Sequence, residues 1–188
     1  GLEQGWEAEV GIAVDAAFPQ QVLIGAFKQF LPESQGTRLL LREDVLSGAS
    51  EALIERKVDL AITPWVPPGF LGERLIDIHF IAVAHPEHAL HKLGRKVTSN
   101  DMSQEMQLVI RDSAIKQNRD SGWLGSEQRW TVTSLESAKN LITNGMGFGW
   151  LPTHDSHALI QQGRLKVLDL DVEYEKHDSL YLVFAQKE

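Results

Sequence analysis

Gly145, Gly147 and Gly149 stand at two-residue spacing in NGMGFGWLP (144–152). Glycines so spaced are the raw material of phosphate-cradling loops. A dinucleotide fingerprint needs a strand first, then the glycines, then a helix N-terminus. Here the order is reversed. Leu135, Ala138, Leu141 and Ile142 share one face of a helix over 134–144, and Ser134 is placed to cap its first turn. The glycines therefore meet the negative end of a helix, which repels phosphate. Gly145 suits a left-handed C-cap, and Gly147 and Gly149 suit a strand that packs closely against its neighbours. The stretch reads as a structural elbow.

Other chemistry is tested in the same way. His79, His85, His88 and His91 cluster around Glu87. The spacing His85-x-x-His88-x-x-His91 would fit one helical face, but Pro86 and Leu90 indicate a turn, and no thiolate or ordered carboxylate set completes a metal site. His154 and His157 read as solvated first-turn residues. The chain has no cysteine, which excludes disulfides, thiolate metal sites and cysteine nucleophiles. SGAS (47–50) and DSGW (120–123) lack the strand-to-helix context of a serine nucleophile, and there is no Walker loop. Among 26 acidic residues no pair stands out for glycosidic chemistry. The expectation is a protein that is not an enzyme, with no cofactor and no metal.

The elements that must hold any site follow from pattern. The 188 residues suffice for one large domain or two small lobes. No apolar run approaches the roughly 18 residues of a membrane span, and the polar, acidic start GLEQGWEAEV is unlike a signal peptide. A reducing cytoplasm fits. A net charge of −8 makes these residues a poor partner for DNA. Strands are predicted at 9–14, 37–43, 58–63, 74–86, 106–112, 129–133, 147–152, 164–170 and 179–185. Helices are predicted from Pro19 to about residue 31, at 47–57 with Ser47 as cap, at 134–144 and at 153–162. Val22, Leu23, Ala26, Phe27 and Phe30 form the apolar face of the first. Alternating strands and helices argue an α/β architecture with largely parallel sheets.

With the elbow in its helix–Gly-x-Gly–strand–Leu-Pro setting, TSLESAKNLITNGMGFGWLP (133–152) resembles the late segment of the effector-binding domain of LysR-type transcriptional regulators. EVGIAV with the helix ending in FKQFLPE resembles that domain's opening strand and helix. LIERKVDLAI resembles its Leu-x-x-Gly-x-Leu-Asp-Leu-Ala-Ile signature, and LIDIHFIAVAHPEHAL its crossover strand and His-Pro-Leu tail. GRLKVLDL and SLYLVFA resemble the closing strands. The ordered set covers about residues 9–186. Three positions depart from the pattern: Arg56 replaces the signature glycine, Ala89 replaces a proline, and Asp15-Ala16 stands where many members place a Ser or Thr that binds a ligand carboxylate.

The resemblance implies two Rossmann-like lobes joined by a two-strand hinge, a type 2 periplasmic-binding-protein-like fold. Lobe I would be 9–84 and 173–188, lobe II 85–172, and residues 1–8 a tail. It implies a ligand-sensing regulatory domain that binds a small-molecule effector between the lobes. The domain would self-associate as a dimer or tetramer, with helices 19–31 and 134–144 or 153–162 as pairing faces. DNA would be reached only through a helix–turn–helix domain that these residues do not include. A periplasmic solute-binding protein of an uptake system is the alternative, and a small enzyme on the same architecture a third reading.

Open α/β sheets take ligands at the carboxyl ends of their strands, where strand order reverses. Those ends are Asp15–Phe18, Thr63–Trp65, Asp112–Ser113 and Thr133–Ser134. The candidate ligand-binding residues are Ala16, Ala17, Phe18, Pro64, Trp65, Ser113, Thr131 and Thr133, with Phe148 and then Trp150 behind them. Thr133 and Ser134 read equally as helix caps. Phe18 and Trp65 read equally as packing residues. Asp15 is expected to cap the helix after Pro19, or else to receive a cationic group. Trp123 and Trp130 are expected to pack, or to form an aromatic lip.

Overall fold

In the computed structural model, residues 8–116, 119, 122–171, 174 and 176–186 are described. Most of the expected tail, part of DSGW and the 172/173 lobe boundary lie outside them. Contacts divide the chain into two units. The first comprises Gly1–Ile76, Ser113–Asn118 and Ser179–Glu188, and the second Asp77–Asp112 and Arg119–Asp178. Each is built around a strand that enters the middle of its sheet.

In the first unit that strand is β1 (Glu9–Asp15), in which Ile12, Ala13 and Val14 are buried. β2 (Arg38–Asp44) and β3 (Leu60–Thr63) flank it, both parallel, with Ile12 in register with Leu41 on one side and Leu60 on the other. The far end of β9 (Lys176–Phe184) joins β3 antiparallel. The short helix α2 (Gly48–Ile54) seats Ala49, Ala52 and Leu53 on Ala13, Ala61 and Val183.

Two local expectations change here. Ser47 makes no side-chain cap to α2: its backbone is already helical (φ −84°, ψ −4°), so its hydroxyl is not turned toward the first free amides. The apolar stripe of α1 (Gln20–Phe30) is not a core face either. Only Leu23 and Phe27 are half-buried, while Val22 and Phe30 are 54% and 45% exposed. The neighbouring Leu39, Leu40 and Leu41 of β2 are exposed as well; Leu39 and Leu41 share the face that carries Leu23 of α1 beside Leu41, and Leu40 points to the other.

Arg56 shows how α2 ends without the glycine. Its φ is +59°, in the left-handed region, and the Arg56 and Lys57 amides donate to the carbonyls of Leu53 (3.1 Å) and Ala52 (2.9 Å). The helix is closed as a glycine would close it, against the steric cost of a Cβ.

The second unit repeats the arrangement. β5 (Gln107–Ile110) lies between two parallel strands, β6 (Arg129–Val132) and β7 (Phe148–Pro152). β7 pairs antiparallel with the end of β4 (Gly72–Ala84), which also carries the two-residue β8 (Lys166–Val167). α4 (Leu135–Thr143) and α5 (Thr153–Gln161) cover one face, over Val83, Leu108, Ile142 and Leu151. Lys139 ties α4 to Asp155 of α5 at 3.1 Å. Leu90, Val97, Met102, Phe148 and Leu168 fill the other face. α3 (Ser99–Ser103) opens on a capping box between Thr98 and Asp101, a Thr-x-x-Asp signal present in the chain that the periodicity reading passes over.

Gly145 caps α4 at φ +83°, with the Met146 amide donating to the Leu141 carbonyl at 3.0 Å. At Gly147 (φ +123°) a Cβ would lie 2.5 Å from the Met106 carbonyl oxygen. The glycines of the opening motif are thus an elbow between helix and strand.

The histidines of the 85–91 segment close turns. His85 Nδ1 accepts from the Glu87 amide, and His88 Nδ1 from the Leu90 amide, each at 3.0 Å. Both nitrogens must be unprotonated to do so. Burial pushes the His88 imidazole below the ordinary histidine range, with Glu105 opposing, and burial does the same to His91.

Two predictions follow from this local geometry. Gly147→Ala should lose about 2 kcal/mol or more, whereas Arg56→Gly should gain about 0.5–1 kcal/mol, read from urea midpoints at constant m-value. The unfolded chain takes up protons at His88 and His91 before the folded one does. Stability should therefore hold above the ordinary histidine value of 6.5 and fall as pH drops below it. His88→Asn, which keeps a cap acceptor but cannot be protonated, should flatten part of that fall in melts between pH 8 and pH 5.

Candidate functional site

In the first unit the chain runs out along β1 to β2 on one side and returns to β3 on the other. The carboxyl end of β1 is therefore a point where strand order reverses, the place such sheets take ligands. The turn Asp15–Phe18 sits there, held by three amides. Ala16 donates to the Asp44 carbonyl (2.8 Å), Phe18 to the Asp15 carbonyl (2.9 Å) and Ala17 to Asp15 Oδ2 (2.9 Å). Asp15 Oδ1 accepts from the Leu46 amide at 3.1 Å. Asp15 thus closes its own turn and anchors the β2–α2 turn. It does not cap α1, whose first turn has no side-chain cap and lies three residues beyond the reach of this bond. Ala17 and Phe18 are buried and Ala16 is half-buried. An open recess of about 430 Å³ beside them is lined by Asp15, Ala16, Phe18, Leu23, Leu41 and Arg42.

At the end of β3, Thr63 is fully buried. Its hydroxyl accepts from the Trp65 amide (3.2 Å) and donates to the Trp65 carbonyl (3.3 Å). The backbone of Trp65 is thereby fixed while its indole is 42% exposed. Pro64 is half-buried between them.

Ser113 follows β5 in the chain, yet its contacts belong to the first unit. Its hydroxyl lies 2.8 Å from Asp44 Oδ1 and accepts from the Val45 amide at 2.8 Å, and its own amide donates to the Val45 carbonyl at 3.0 Å. Gly48 is there to admit it, since a Cβ on Gly48 would collide with the Ser113 hydroxyl. The Glu51 carboxylate accepts from the amides of Ile115 and Lys116 at 2.9 Å, and Lys116 pairs with Glu55 at 2.7 Å. Glu55 is held below the usual carboxylate range by its hydrogen bonds with Lys116 and Lys57, and Lys116 above the usual lysine range by Glu55. Asp44 is buried, and Arg42 grips it in a fork at 2.8 and 3.0 Å, which raises the guanidinium above its ordinary value.

Asp44, Leu46, Gly48 and Glu51 are residues that the motif reading does not single out. Only Asp44 carried a local signal, as an acid closing an apolar strand. The others matter through partners more than 30 residues away in the chain.

In the second unit, Thr131 lies within β6 and Thr133 just past its end, both exposed. Ser134 caps α4, accepting from the Ser137 amide at 3.0 Å. Phe148 is fully buried at the start of β7, in a cluster with Trp123 (6.2 Å between ring centroids) and Trp150 (6.0 Å), and Trp150 meets Tyr174 at 5.2 Å. Trp123 is therefore a packing residue, and Trp130 stands 45% exposed on β6.

A family model described as the LysR substrate binding domain matches residues 3–188. The regulator CbbR of Xanthobacter flavus is 28% identical over 172 residues, which are 86% of this chain and 50% of that protein. The chain spans about half the length of the curated relatives it matches. Among solved structures, the C-terminal domains of a LysR family protein from Agrobacterium tumefaciens str. C58 superpose with a TM-score of 0.72 at 18% identity, over 95% of this chain and 88% of that one. Full-length LysG of Corynebacterium glutamicum, with bound effector Arg, superposes with a TM-score of 0.68 at 20% identity, over 97% and 62%. The shared fold is the type 2 periplasmic-binding-protein-like α/β fold. These relatives are transcriptional regulators rather than enzymes, and they do not favour a solute-binding protein of an uptake system. The chain belongs to the LysR substrate binding domain family and is the ligand-sensing regulatory domain of a LysR-type transcriptional regulator.

Proposed function

We propose that the effector is a small organic molecule taken by the loops at the carboxyl ends of the strands: Ala16, Ala17, Phe18, Pro64 and Trp65 after β1 and β3, Ser113 after β5, and Thr131 and Thr133 at β6. The observation that carries this reading is Trp65. Its backbone is locked by a buried threonine, yet its indole remains exposed at the end of β3. A rigid, amphipathic ring held in place at a strand end suits contact with a small organic molecule. LysG with its bound Arg supports a metabolite of amino-acid size. Phe148, fully buried, acts in this reading by shaping the second unit's core.

In this reading lobe I is residues 9–84 and 173–188 and lobe II residues 85–172, with β4 and β9 as the strands that join them. An effector would favour one arrangement of the lobes by its differential affinity and no more. The domain self-associates as a dimer or tetramer through the apolar surface of α1 and β2, where Val22, Ile24, Leu39 and Leu41 are each at least 40% exposed. It works in the cytoplasm, within a regulator whose DNA contacts lie in a helix–turn–helix domain. Among the described residues no helix is long and apolar enough to cross a membrane.

Thermal unfolding against amino acids, amines, carboxylates and aromatic metabolites tests the site. A ligand at about 100 times its dissociation constant adds about 2.7 kcal/mol and should raise the melting temperature by roughly 5–10 °C. Trp65→Ala and Thr133→Ala should each abolish most of that rise; an undiminished rise in both places the effector elsewhere. For self-association, Leu39→Lys should weaken the dimer at least about tenfold in sedimentation equilibrium. Leu71→Lys, 91% exposed but away from α1 and β2, should leave it unchanged.

A further inference from the structure

His79 lies on β4 and His177 on β9, strands that are neighbours in the sheet. Their ring centroids are 5.8 Å apart and the ring planes are inclined by 33°. Both residues are exposed, and both belong to the second unit. One position along each strand, Lys176 Nζ lies 4.1 Å from the centre of the Phe80 ring. Side chains alternate between the two faces of a strand. The two contacts therefore describe one register, with His79 opposite His177 on one face and Phe80 opposite Lys176 on the other. Ile78, 2% exposed, belongs to the Phe80 face. The imidazoles thus share the solvent side, and the nearest lysine is held on the far side of the sheet.

Among the described residues neither imidazole enters a hydrogen bond or an ion pair. Each neutral ring has one nitrogen with an open lone pair. Two imidazoles that bind one ion tetrahedrally, each through a nitrogen at roughly 2.0–2.1 Å, have centroids about 5 Å apart. The pair needs a shift of under about 1 Å to reach that spacing, within the play of two exposed side chains. Imidazole suits zinc, copper and nickel, whereas magnesium and calcium demand oxygen. Asp77, two residues before His79 on the same face, has bonds of its own, and its negative charge favours a cation nearby.

We propose that His79 and His177 form a site for a divalent transition metal of the zinc class, with water in the remaining positions. The ion clips β4 to β9 through their side chains, so it binds only when the two strands are in place and stabilises their pairing. His79 parts company here with the histidines that precede and follow Glu87. His85 and His88 each spend a ring nitrogen on a backbone amide, while His79 finds its partner near the other end of the chain. The proposal is independent of where the effector binds.

The test titrates the 188-residue chain with zinc chloride and follows heat, melting temperature and the imidazole C–H resonances. The wild type should take up zinc saturably, with the His79 and His177 resonances moving together. Its melting temperature should rise by roughly 3–6 °C at ten times the dissociation constant. His79→Asn and His177→Gln should each weaken binding at least about tenfold, since either loss ends the chelate. Both positions are exposed, so the metal-free melting temperature should stay within about 2 °C of the wild type. His157→Gln, on the exposed face of α5, should leave the affinity unchanged. A hundredfold or so excess of magnesium should not displace the zinc. The absence of saturable uptake by the wild type would overturn the proposal. Affinity retained in both His79→Asn and His177→Gln would overturn it too, as would movement of one of the two rings without the other.

Discussion

Asp44 is the constraint on which the first unit's functional end depends. It is a carboxylate with 2% of its surface exposed, and a buried charge is tolerated only where its lone pairs are met. Arg42 meets it from its own strand and Ser113 from a segment 69 residues away, while its carbonyl fixes Ala16 in the next turn. Each partner imposes something further. Ser113 demands a residue without a side chain at position 48, which opens α2 on glycine. The segment behind Ser113 then falls across the exposed side of α2, where Glu51 collects two of its amides. One residue thereby positions the turn after β1, the turn after β2, the start of α2 and residues 113–116.

The two units share one strand order, with the first strand central, the second at the edge and the third on the inner side, followed by an antiparallel neighbour. They differ in how their sheets are covered. The second unit buries both faces, one under α4 and α5 and the other under a shell that includes Met102, Phe148 and Trp123. The first unit leaves α1 without a buried residue and three consecutive leucines of β2 exposed. Apolar surface of that extent is uncommon on a chain that stays alone. The asymmetry leaves the exposed apolar surface on one unit and a core on both faces of the sheet in the other.

What was legible in the sequence follows the range of the interactions concerned. The elbow at Gly145–Gly149 could be read because a C-cap and a close backbone approach are local demands that only glycine meets. Strand positions could be read because β-branched and aliphatic runs between prolines and acids leave few alternatives. Ser47 and Asp15 have the residue type of caps but do not cap: Ser47 stands in helical backbone, and Asp15 is engaged by the amides of Ala17 and Leu46. The α1 stripe has a core-like period, and periodicity cannot say whether the partner surface is in the same chain. Ser113 was marked as a polar group at the end of a second-unit strand. Its attachment to Asp44 crosses 69 positions and leaves no pattern in either segment. Arg56 was seen as a departure, but only the backbone angle shows that the helix end keeps its form despite it.

The aromatic cluster has an optical consequence. Trp123 and Trp150 lie 5.8 Å apart at 48°, with Phe148 and Tyr174 against them. Indole transitions at that spacing and angle couple as excitons, while Trp65 and Trp130 stand 42% and 45% exposed. The near-ultraviolet circular dichroism of this protein is therefore the signature of one face of the second unit. Its disappearance on heating dates the melting of that face.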